Sequence, residues 1–413
     1  MSDPQPTDPL ASAPWLTLVG LGADGVPSLS EAARTAVSAA HWVVGSGRQL
    51  ALVAELVRGE TFAWPSPLSG GIARLLALRG TPTCVLASGD PFFFGIGATL
   101  APHLARGEFV ALPAPSSVSL AASRLGWPLQ DVEVISLHGR DLHGIVPTLA
   151  PGRRVIALSW DARTPAALAE LLRARGFGAS RIHVLENLGA ADERVRAALA
   201  DAFALDDVAD LNLVALEVEA PPTTFAIPVR GSLPDEAFAN DGQLTKQDVR
   251  AITLSALAPR PGELLWDVGA GAGSIAIEWM LGHAHCRAIA IEHVPARAAR
   301  IRDNARNLGV PALVVHEARA PEGLAGLPTP NAIFIGGGAR NPALFEACWR
   351  ALPSGGRLVI NAVTLEGEAH VIGLHAAHGG QLVRVSIERA GAVGTLTGWR
   401  AAMPVVQWRV TKP

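Results

Sequence analysis

Short apolar runs alternate with amphipathic stretches along most of the chain, and this pattern predicts an α/β protein. Apolar runs bounded by turn formers are typical of buried strands, whereas longer stretches with helical periodicity are typical of helices. Strands are predicted at 15–19, 41–44, 83–87, 109–112, 132–136, 155–158, 181–185, 211–218, 264–268, 288–291, 313–316, 332–335, 358–360, 383–388 and 404–410. Helices are predicted between them, among others at 118–125, 164–175, 274–280 and 295–308.

This alternation is interrupted at two places that are rich in proline and other turn formers. Residues 1–13 show no periodicity and predict a disordered tail, and residues 221–243 predict a linker. Two domains are therefore expected, over residues 14–220 and 244–413. The order of strands and helices in the second domain predicts a doubly wound sheet with an antiparallel edge.

A glycine-rich turn in the second domain joins a buried strand to a helix. The strand contains Asp267, and the turn consists of small residues only: Gly269, Ala270, Gly271, Ala272 and Gly273. Glycine lets the backbone take positive φ and approach a ligand closely, and a helix N-terminus attracts negative charge. Roughly 20 residues further on, the next strand ends in Glu292, where such folds hold an acid against ribose hydroxyls. The combination predicts a corner that binds a nucleotide-like cofactor.

Several alternatives remain open for this corner. Gly271, Gly273 and Ala276 also fit the dinucleotide pattern G-x-G-x-x-A, which would indicate an NAD(P)-dependent oxidoreductase. The turn could instead merely pack tightly. A further alternative is a catalytically inactive scaffold that keeps one cofactor site only for stability. An RNA methyltransferase is a further alternative, although the formal charge of −3 offers no basic surface for nucleic acid.

Polar or small residues follow several predicted strands of the first domain. In an open α/β sheet, ligands bind where the carboxyl ends of parallel strands meet. The groups expected at this edge are Gly20, Gly22, Ser88, Gly89, Asp90, Ser116, Ser117, His138 and Arg140. Ser116 or Ser117 could serve only as the N-cap of the helix that follows. Elsewhere in this domain, Ser28 and Glu31 predict a capping box at the start of a helix.

The first domain resembles the tetrapyrrole methylase family. The strings V-G-L-G-A-D-G, V-V-G-S-G-R-Q-L, A-S-G-D-P-F-F-F-G-I-G, P-S-S-V and S-L-H-G-R stand in the family's order and look like its branch that methylates precorrin-6Y. The resemblance implies two α/β lobes with S-adenosyl-L-methionine in the cleft between them. It also implies that Gly20, Gly22, Ser88, Gly89, Asp90 and Ser117 line that cleft. Ala23-Asp24 departs from the Pro-Gly that many relatives carry.

The second domain resembles the small decarboxylating precorrin methyltransferases, which have a Rossmann-like fold. This resemblance rests on L-T-K-x-x-V-R-A, W-D-V-G-A-G-x-G, A-P-E, F-I-G-G and N-A-V-T-L-E. It implies a second S-adenosyl-L-methionine site in which Thr245 and Asp267 contribute, residues 269–273 face the methionine end, Glu292 binds the ribose and Ala320 lies at the adenine edge. Thr245 is alternatively only the cap of the next helix.

Together the two resemblances imply one enzyme of cobalamin (vitamin B12) biosynthesis. It would methylate precorrin-6Y at carbon 5 with its first half. It would methylate carbon 15 and remove the carboxyl group of the ring C acetate with its second half, which gives precorrin-8X. A homo-oligomer is expected because relatives of both halves associate.

No general acid or base is predicted firmly, because methyl transfer mainly requires two aligned ligands and the exclusion of water. Weak catalytic candidates are His138, Arg140, Lys246 and Asn361. A polycarboxylate substrate suits cationic partners, for which Arg48, Arg140, Lys246 and Arg250 are candidates. Each of these cations is alternatively an ordinary solvated charge, and a lone histidine is often structural.

Composition limits the remaining choices. Charged residues are 17% of the chain and hydrophobic residues 49%, which is typical of a globular protein. The three cysteines have no metal-type spacing, so no metal site is predicted, and they are expected to be reduced thiols. No apolar run approaches the roughly 18 residues that span a bilayer, so a cytoplasmic protein without membrane or nucleic-acid partners is expected.

Overall fold

The computed structural model describes residues 14–229 and 231–413, which form two compact units. Unit 1 contains the residues up to Arg140 together with Ala150–Thr224. Unit 2 contains Asp141–Leu149 and Phe225–Pro413. The predicted tail at 1–13 lies outside the described residues.

The first sheet of unit 1 is parallel throughout. Its strand order is β3-β2-β4-β1-β5. The strands are β1 (Leu16–Leu21), β2 (Trp42–Gly45), β3 (Glu60–Ala63), β4 (Thr83–Ser88) and β5 (Phe109–Leu112), and the helices among them are α1 (Glu31–Ala39), α2 (Gly47–Leu52), α3 (Leu68–Leu76) and α4 (Ile96–Leu100). Because the strands are parallel, the loops after β1 and β4 leave the sheet at the same edge.

The second sheet of unit 1 is mixed, with the order β6-β7-β10-β8-β9. It contains β6 (Val132–Ser136), β7 (Arg154–Leu158), β8 (Arg181–Glu186), β9 (Arg194–Leu199) and β10 (Asn212–Glu217), and the neighbouring helices are α5 (Ser117–Leu125) and α6 (Thr164–Ala174). β10 runs antiparallel to both β7 and β8. The sequence pattern did not predict β3 or β9. Both are edge strands whose side chains are largely exposed, so neither contains a sustained apolar run.

Unit 2 is built on a seven-stranded sheet with the order β13-β12-β11-β14-β15-β19-β16. Its strands are β11 (Leu264–Val268), β12 (Arg287–Glu292), β13 (Val314–Glu317), β14 (Ala332–Ile335), β15 (Arg357–Ala362), β16 (Gln381–Val385) and β19 (Val405–Thr411); a separate hairpin contains β17 (Glu388–Val393) and β18 (Leu396–Ala401). The helices are α7 (Gln247–Leu257), α8 (Ser274–Leu281), α9 (Pro295–Asn307), α10 (Pro342–Ala351) and α11 (Leu365–His378).

The doubly wound sheet predicted for this half is confirmed, with one correction. The antiparallel strand is β19, which lies between β15 and β16 rather than at the edge. The strand order reverses beside β11, because β12 pairs on one side of it and β14 on the other. In such sheets this switch point forms the ligand crevice.

The second half of the predicted linker is part of the core of unit 2. Leu233 and Phe238 are each 2% exposed, and they belong to the same apolar cluster as Leu257 and Trp279. Fully burying a side chain of this size stabilises the fold by roughly 1.5–3 kcal/mol. The segment therefore packs onto unit 2, even though its proline content resembles that of a flexible linker.

Two predicted helix caps are wrong. α1 is capped by Ser30, whose hydroxyl accepts a hydrogen bond from Ala33 N, whereas Ser28 Oγ accepts one from Gly22 N. α7 begins at Gln247 without a cap from Thr245, because the distant Asp235 carboxylate accepts the Gln247 N–H at 2.9 Å. Sequence spacing alone does not reveal a cap that comes from another segment.

Within the described ranges, none of the helices is both long and apolar enough to cross a membrane. Cys84, Cys286 and Cys348 are free and buried, as expected of reduced thiols.

Candidate functional site

Unit 1 contains a cavity of about 770 Å³ between its two sheets. The loops after β1 and β4 line one side, and the ends of β6, β7 and β10 line the other. The predicted residues that line it are Gly22, Ser88, Gly89, Ser117, Arg48, His138 and Arg140. Gly20 and Asp90 are not among the lining residues.

Gly20 shapes the cavity from behind. A Cβ at this position would lie 2.1 Å from Gly89 O and 2.4 Å from Ala114 N, so only glycine fits. Gly89 has φ of +62° and donates its N–H to Leu21 O at 3.0 Å, which ties the loop after β4 to the end of β1. The two glycines allow the strand-end loops to meet closely.

Asp90 organises the loop that follows. Its Oδ1 accepts the Phe92 N–H at 2.8 Å, and its carbonyl accepts the Phe93 N–H at 3.3 Å. This turn presents Phe92, Phe93 and Phe94 at the cavity, where they remain 42%, 40% and 50% exposed. Three adjacent exposed aromatic side chains provide an apolar surface next to the polar strand ends.

Ser116 and Ser117 have different roles. Ser116 caps α5, because its hydroxyl accepts a hydrogen bond from Ser119 N at 3.1 Å. Ser117 is the first residue of the helix and lines the cavity.

Sequence reasoning missed three polar residues around this cavity. Gln49 is buried and donates from Nε2 to Ser88 Oγ at 3.1 Å, which positions that hydroxyl. Ser159 and Asn212 line the cavity, and Ser159 Oγ and Asn212 Oδ1 are buried without a hydrogen-bond partner in the described part of the chain. Ser159 follows the carboxyl end of β7, a position that the strand-end pattern could have identified, whereas Asn212 is the first residue of the antiparallel β10 and carries no such signal.

Three titratable side chains line the same cavity. Arg48, His138 and Arg140 are exposed, and neither arginine forms an ion pair with any residue that the structure describes. The His138 ring lies 6.4 Å from the Trp160 ring, centroid to centroid. The cavity therefore offers uncompensated positive charge beside the aromatic surface.

In unit 2, the glycine turn follows β11 at the switch point of the sheet. Gly269, Gly271 and Gly273 all have positive φ. Gly269 is exposed, and Ala270 and Gly271 are half-buried, so their backbone is open to a ligand. Ala272 and Gly273 are buried; a Cβ on Gly273 would lie 2.7 Å from Ile301 Cγ2, so this glycine lets α9 pack against the turn.

Two carboxylates lie behind this turn. Glu292 is 4% exposed and accepts hydrogen bonds from Gly271 N at 3.1 Å and from His293 N and Val294 N. Asp267 is 1% exposed; its Oδ2 accepts from Ala276 N at 3.1 Å, while Oδ1 has no hydrogen-bond partner among the residues that the structure describes. Burial raises the pKa of Asp267 to about 7, and the nearby Glu292 charge adds to the increase.

Arg250 has neither of the two roles that the sequence suggests, which are a contact with the carboxylates of the substrate and an ordinary solvated charge. It is completely buried, with Nε 2.6 Å from Glu278 Oε1 and one NH group 3.2 Å from Asp235 Oδ1. Its guanidinium also lies over the Phe238 ring at 4.7 Å. Neither a solvated charge nor a substrate contact fits this environment, so Arg250 joins α7 to the preceding segment and to α8.

The other residues of unit 2 that the sequence predicts to belong to the site lie in different environments. Lys246 is exposed and lies 3.6 Å from Asp235 Oδ2, and Thr245 is half-buried. Asn361 is buried and donates to Thr253 Oγ1 at 2.9 Å while accepting from Gln407, so its amide is engaged inside the fold. Ala320 is half-buried and packs against the core around Trp266.

Two family models match different parts of this chain. A family model for tetrapyrrole (corrin/porphyrin) methylases matches residues 15–204, and a model for the precorrin methyltransferase domain matches residues 236–412. The crystal structure of the C-terminal domain of precorrin-6Y C5,15-methyltransferase from Rhodobacter capsulatus is 46% identical; the match covers 45% of this chain and 100% of that one, with a TM-score of 0.43.

Two relatives match essentially the whole chain. The precorrin-6Y C(5,15)-methyltransferase [decarboxylating] of Sinorhizobium sp is 52% identical over 412 residues, which cover 100% of both chains. The protein of the same name from Mycobacterium tuberculosis (strain CDC 1551 / Oshkosh) is 43% identical over 401 residues, which cover 96% of this chain and 100% of that one. The resemblance found in the sequence is thus confirmed, and this chain belongs to the family of decarboxylating precorrin-6Y C(5,15)-methyltransferases.

Proposed function

We propose that this protein methylates precorrin-6Y at carbons 5 and 15 and removes the carboxyl group of the ring C acetate, which gives precorrin-8X. The observation that carries the proposal is the 52% identity over the full length of a relative with that name. The oxidoreductase alternative finds no support in these relatives. A homo-oligomer and a cytoplasmic location stay predictions.

The proposal includes two binding sites for S-adenosyl-L-methionine, one in each unit. Carbon 5 is assigned to residues 14–220, and carbon 15 with the decarboxylation to residues 244–413. Two features support this count: a large polar-edged cavity in unit 1, and a glycine turn at the switch point of an unrelated sheet in unit 2. When bound, S-adenosyl-L-methionine supplies an electrophilic methyl group.

The lining of the unit 1 cavity fits such a donor. Ser159 Oγ and Asn212 Oδ1 are buried polar atoms without partners among the described residues, which is costly unless a ligand or water satisfies them. Gly22 and Gly89 give the ligand access to the backbone, and Gln49 holds the Ser88 hydroxyl in place. We assign these groups to donor binding.

The remaining lining of the unit 1 cavity suits a macrocycle that carries carboxylates. Arg48 and Arg140 have no described ion-pair partner and would pair with acetate or propionate groups. Residues 92–94 would contact the apolar face of the ring. The role of these residues is to align the nucleophilic carbon with the methyl group and to exclude water.

The glycine corner of unit 2 also fits the donor. Asp267 Oδ1 is a buried carboxylate oxygen without a partner in residues 14–229 and 231–413, which suits a cationic ligand. Glu292 already accepts backbone hydrogen bonds, which fix its carboxylate at the end of β12 for ribose hydroxyls. Decarboxylation needs an acceptor for the released electron pair, and the conjugated substrate provides one. We therefore assign no general acid or base from Lys246 or Asn361.

Mass spectrometry of precorrin-6Y incubated with the protein and S-adenosyl-L-methionine tests the proposal. We expect the product to gain two methyl groups and to lose one carboxyl group as carbon dioxide. Incubation with NAD(P)H in place of the methyl donor is the control, and it should leave the substrate mass unchanged. A product that is reduced or oxidised but not methylated would contradict the proposal.

A further inference from the structure

Residues 239–245, which we call the strap, lie against the glycine turn of unit 2. They include the last five residues of the predicted linker and the first two residues of the predicted second domain. A Cβ on Gly271 would lie 2.7 Å from Gln243 O, so the strap touches the turn at its middle glycine. The strap therefore forms one wall of the corner assigned above to the methyl donor.

One side chain joins the strap to the turn. Asn304, on the buried face of α9, is 2% exposed. Its Oδ1 accepts the Ala239 N–H at 2.9 Å, and its Nδ2 donates to Ala239 O at 2.9 Å and to Ala272 O at 3.0 Å. Strap, helix and turn are thus connected through a single amide, whose donor and acceptor are both used.

An ion pair fastens the outer side of the strap. Asp241 Oδ2 lies 2.9 Å from Arg297 Nε and 3.3 Å from Arg300, and both arginines belong to α9. The Arg297 hydrogen bond lowers the pKa of Asp241 to about 2, so this carboxylate is charged under ordinary conditions. At the other end of the strap, Thr245 O accepts a hydrogen bond from the buried Arg250.

We propose that Asn304 is a positioning residue for the methyl transfer in unit 2. It holds the strap and the glycine turn at one fixed separation, and this separation determines how tightly the corner binds the sulfonium donor. The inference rests on the proposed function. It assigns Asn304 no contact with the substrate and no part in the chemical step.

This role has a kinetic signature that differs from simple loss of structure. A strap that moves away from the turn weakens donor binding but leaves the bound geometry attainable at high donor concentration. The KM for S-adenosyl-L-methionine in carbon dioxide release should then rise, while kcat stays close to that of the wild type. A defect in folding would instead lower the rate at every donor concentration, so that kcat itself falls.

The test compares Asn304→Asp with the wild type in carbon dioxide release from the precorrin-6Y incubation. Asn304→Asp keeps the shape and the acceptor for Ala239 N, but it replaces the donor to Ala239 O and Ala272 O with an oxygen. We expect the KM for S-adenosyl-L-methionine to rise roughly tenfold or more, because about two hydrogen bonds are lost. Equilibrium dialysis with S-adenosylhomocysteine should show the same loss of affinity at one site and none at the other.

Asp241→Asn provides a second variant that loosens the same strap from its exposed side. It removes the charge that faces Arg297 and Arg300 and should raise the same KM by a smaller factor. Arg302→Ala, on the same helix but paired with the half-exposed Glu317 at 3.7 Å, is the matched control and should leave the KM unchanged.

An unchanged KM for S-adenosyl-L-methionine in both Asn304→Asp and Asp241→Asn would overturn the inference. A loss of kcat that saturating S-adenosyl-L-methionine does not restore would overturn it as well. If the wild type itself released no carbon dioxide, the proposed function would fail instead.

Discussion

Asp267 is the residue in which burial and charge conflict most clearly. It lies at the end of β11, one of its oxygens has no partner in the described part of the chain, and burial raises its pKa to about 7. A buried carboxylate is tolerated when a ligand compensates its charge, and residues with such shifts cluster at functional sites. We therefore interpret Asp267 as an acceptor kept for a cationic ligand.

The raised pKa makes stability depend on pH with a defined sign. The folded protein keeps the Asp267 proton up to about pH 7, whereas the unfolded chain releases it near the ordinary value of 3.8. The free energy of unfolding of the ligand-free protein should therefore fall as pH rises through this window. Asp267→Asn should remove that loss, which amounts to up to about 4 kcal/mol.

Urea unfolding at pH 5 and pH 8 measures the part of this loss that falls above pH 5, which is about 3 kcal/mol. Asp303→Asn, which changes an exposed carboxylate on α9, is the control and should keep the slope of the wild type. An equal slope in Asp267→Asn and the wild type would refute the assignment of the proton to Asp267.

Gly20 provides a test in unit 1. Because a Cβ would lie 2.1 Å from Gly89 O, Gly20→Ala must push the loop after β4 away from β1 and distort the cavity. We expect it to abolish one of two S-adenosylhomocysteine sites in equilibrium dialysis. Gly70→Ala adds the same methyl group to α3, where nothing lies within 4 Å, and should bind like the wild type. Full binding by Gly20→Ala would contradict the cavity assignment.

At the level of elements, α7 and α8 are held together by a buried ion pair. Arg250 and Glu278 lie 2.6 Å apart and are almost completely inaccessible, and the segment around Leu233 adds hydrogen bonds to both. Burial raises the pKa of Glu278, although the Arg250 charge opposes this increase. The pair makes the predicted linker a structural part of unit 2.

Removing one partner of this pair should destabilise unit 2 strongly. Arg250→Ala leaves the Glu278 carboxylate buried and uncompensated, which typically costs about 3–5 kcal/mol. Replacing both residues, in Arg250→Met with Glu278→Leu, should recover much of this loss because no buried charge remains. Arg302→Ala should change stability by less than about 1 kcal/mol, since its pair with Glu317 is exposed.

Chemical denaturation of the three variants and the wild type measures these differences. Stability of Arg250→Ala equal to that of Arg302→Ala would show that the buried pair contributes little.

The sequence predicted those elements whose apolar runs are long and whose ends are polar. β4 and β11 are fully or almost fully buried, so their positions and the polar groups after them were evident. β9 and the β17–β18 hairpin are largely exposed and were missed, because an edge or isolated strand needs few apolar residues. Arg250 was misjudged because the sequence does not show which charges become buried.

The same limit applied to the candidate sites. Motif strings located the glycines and the strand-end acids, since their spacing follows from local geometry. Gln49 and Asn304 were missed because each acts across a distance in sequence, on Ser88 in one case and on Ala239 and Ala272 in the other. Such contacts depend on the tertiary fold, which no local pattern encodes.

At the scale of the whole molecule, the proposed function assigns one site for the same methyl donor to each of two unrelated folds. Unit 1 does so with a cavity between a parallel and a mixed sheet, and unit 2 with a glycine corner on a doubly wound sheet. The assignment of carbon 5 to one unit and carbon 15 to the other requires both places to bind the donor. The number of donor sites per chain is therefore the quantity on which the account depends.

Equilibrium dialysis of the intact protein with S-adenosylhomocysteine determines this number directly. We predict two molecules bound per chain, of which Gly20→Ala abolishes one and Asn304→Asp weakens the other. A single molecule bound per chain by the wild type would contradict the account.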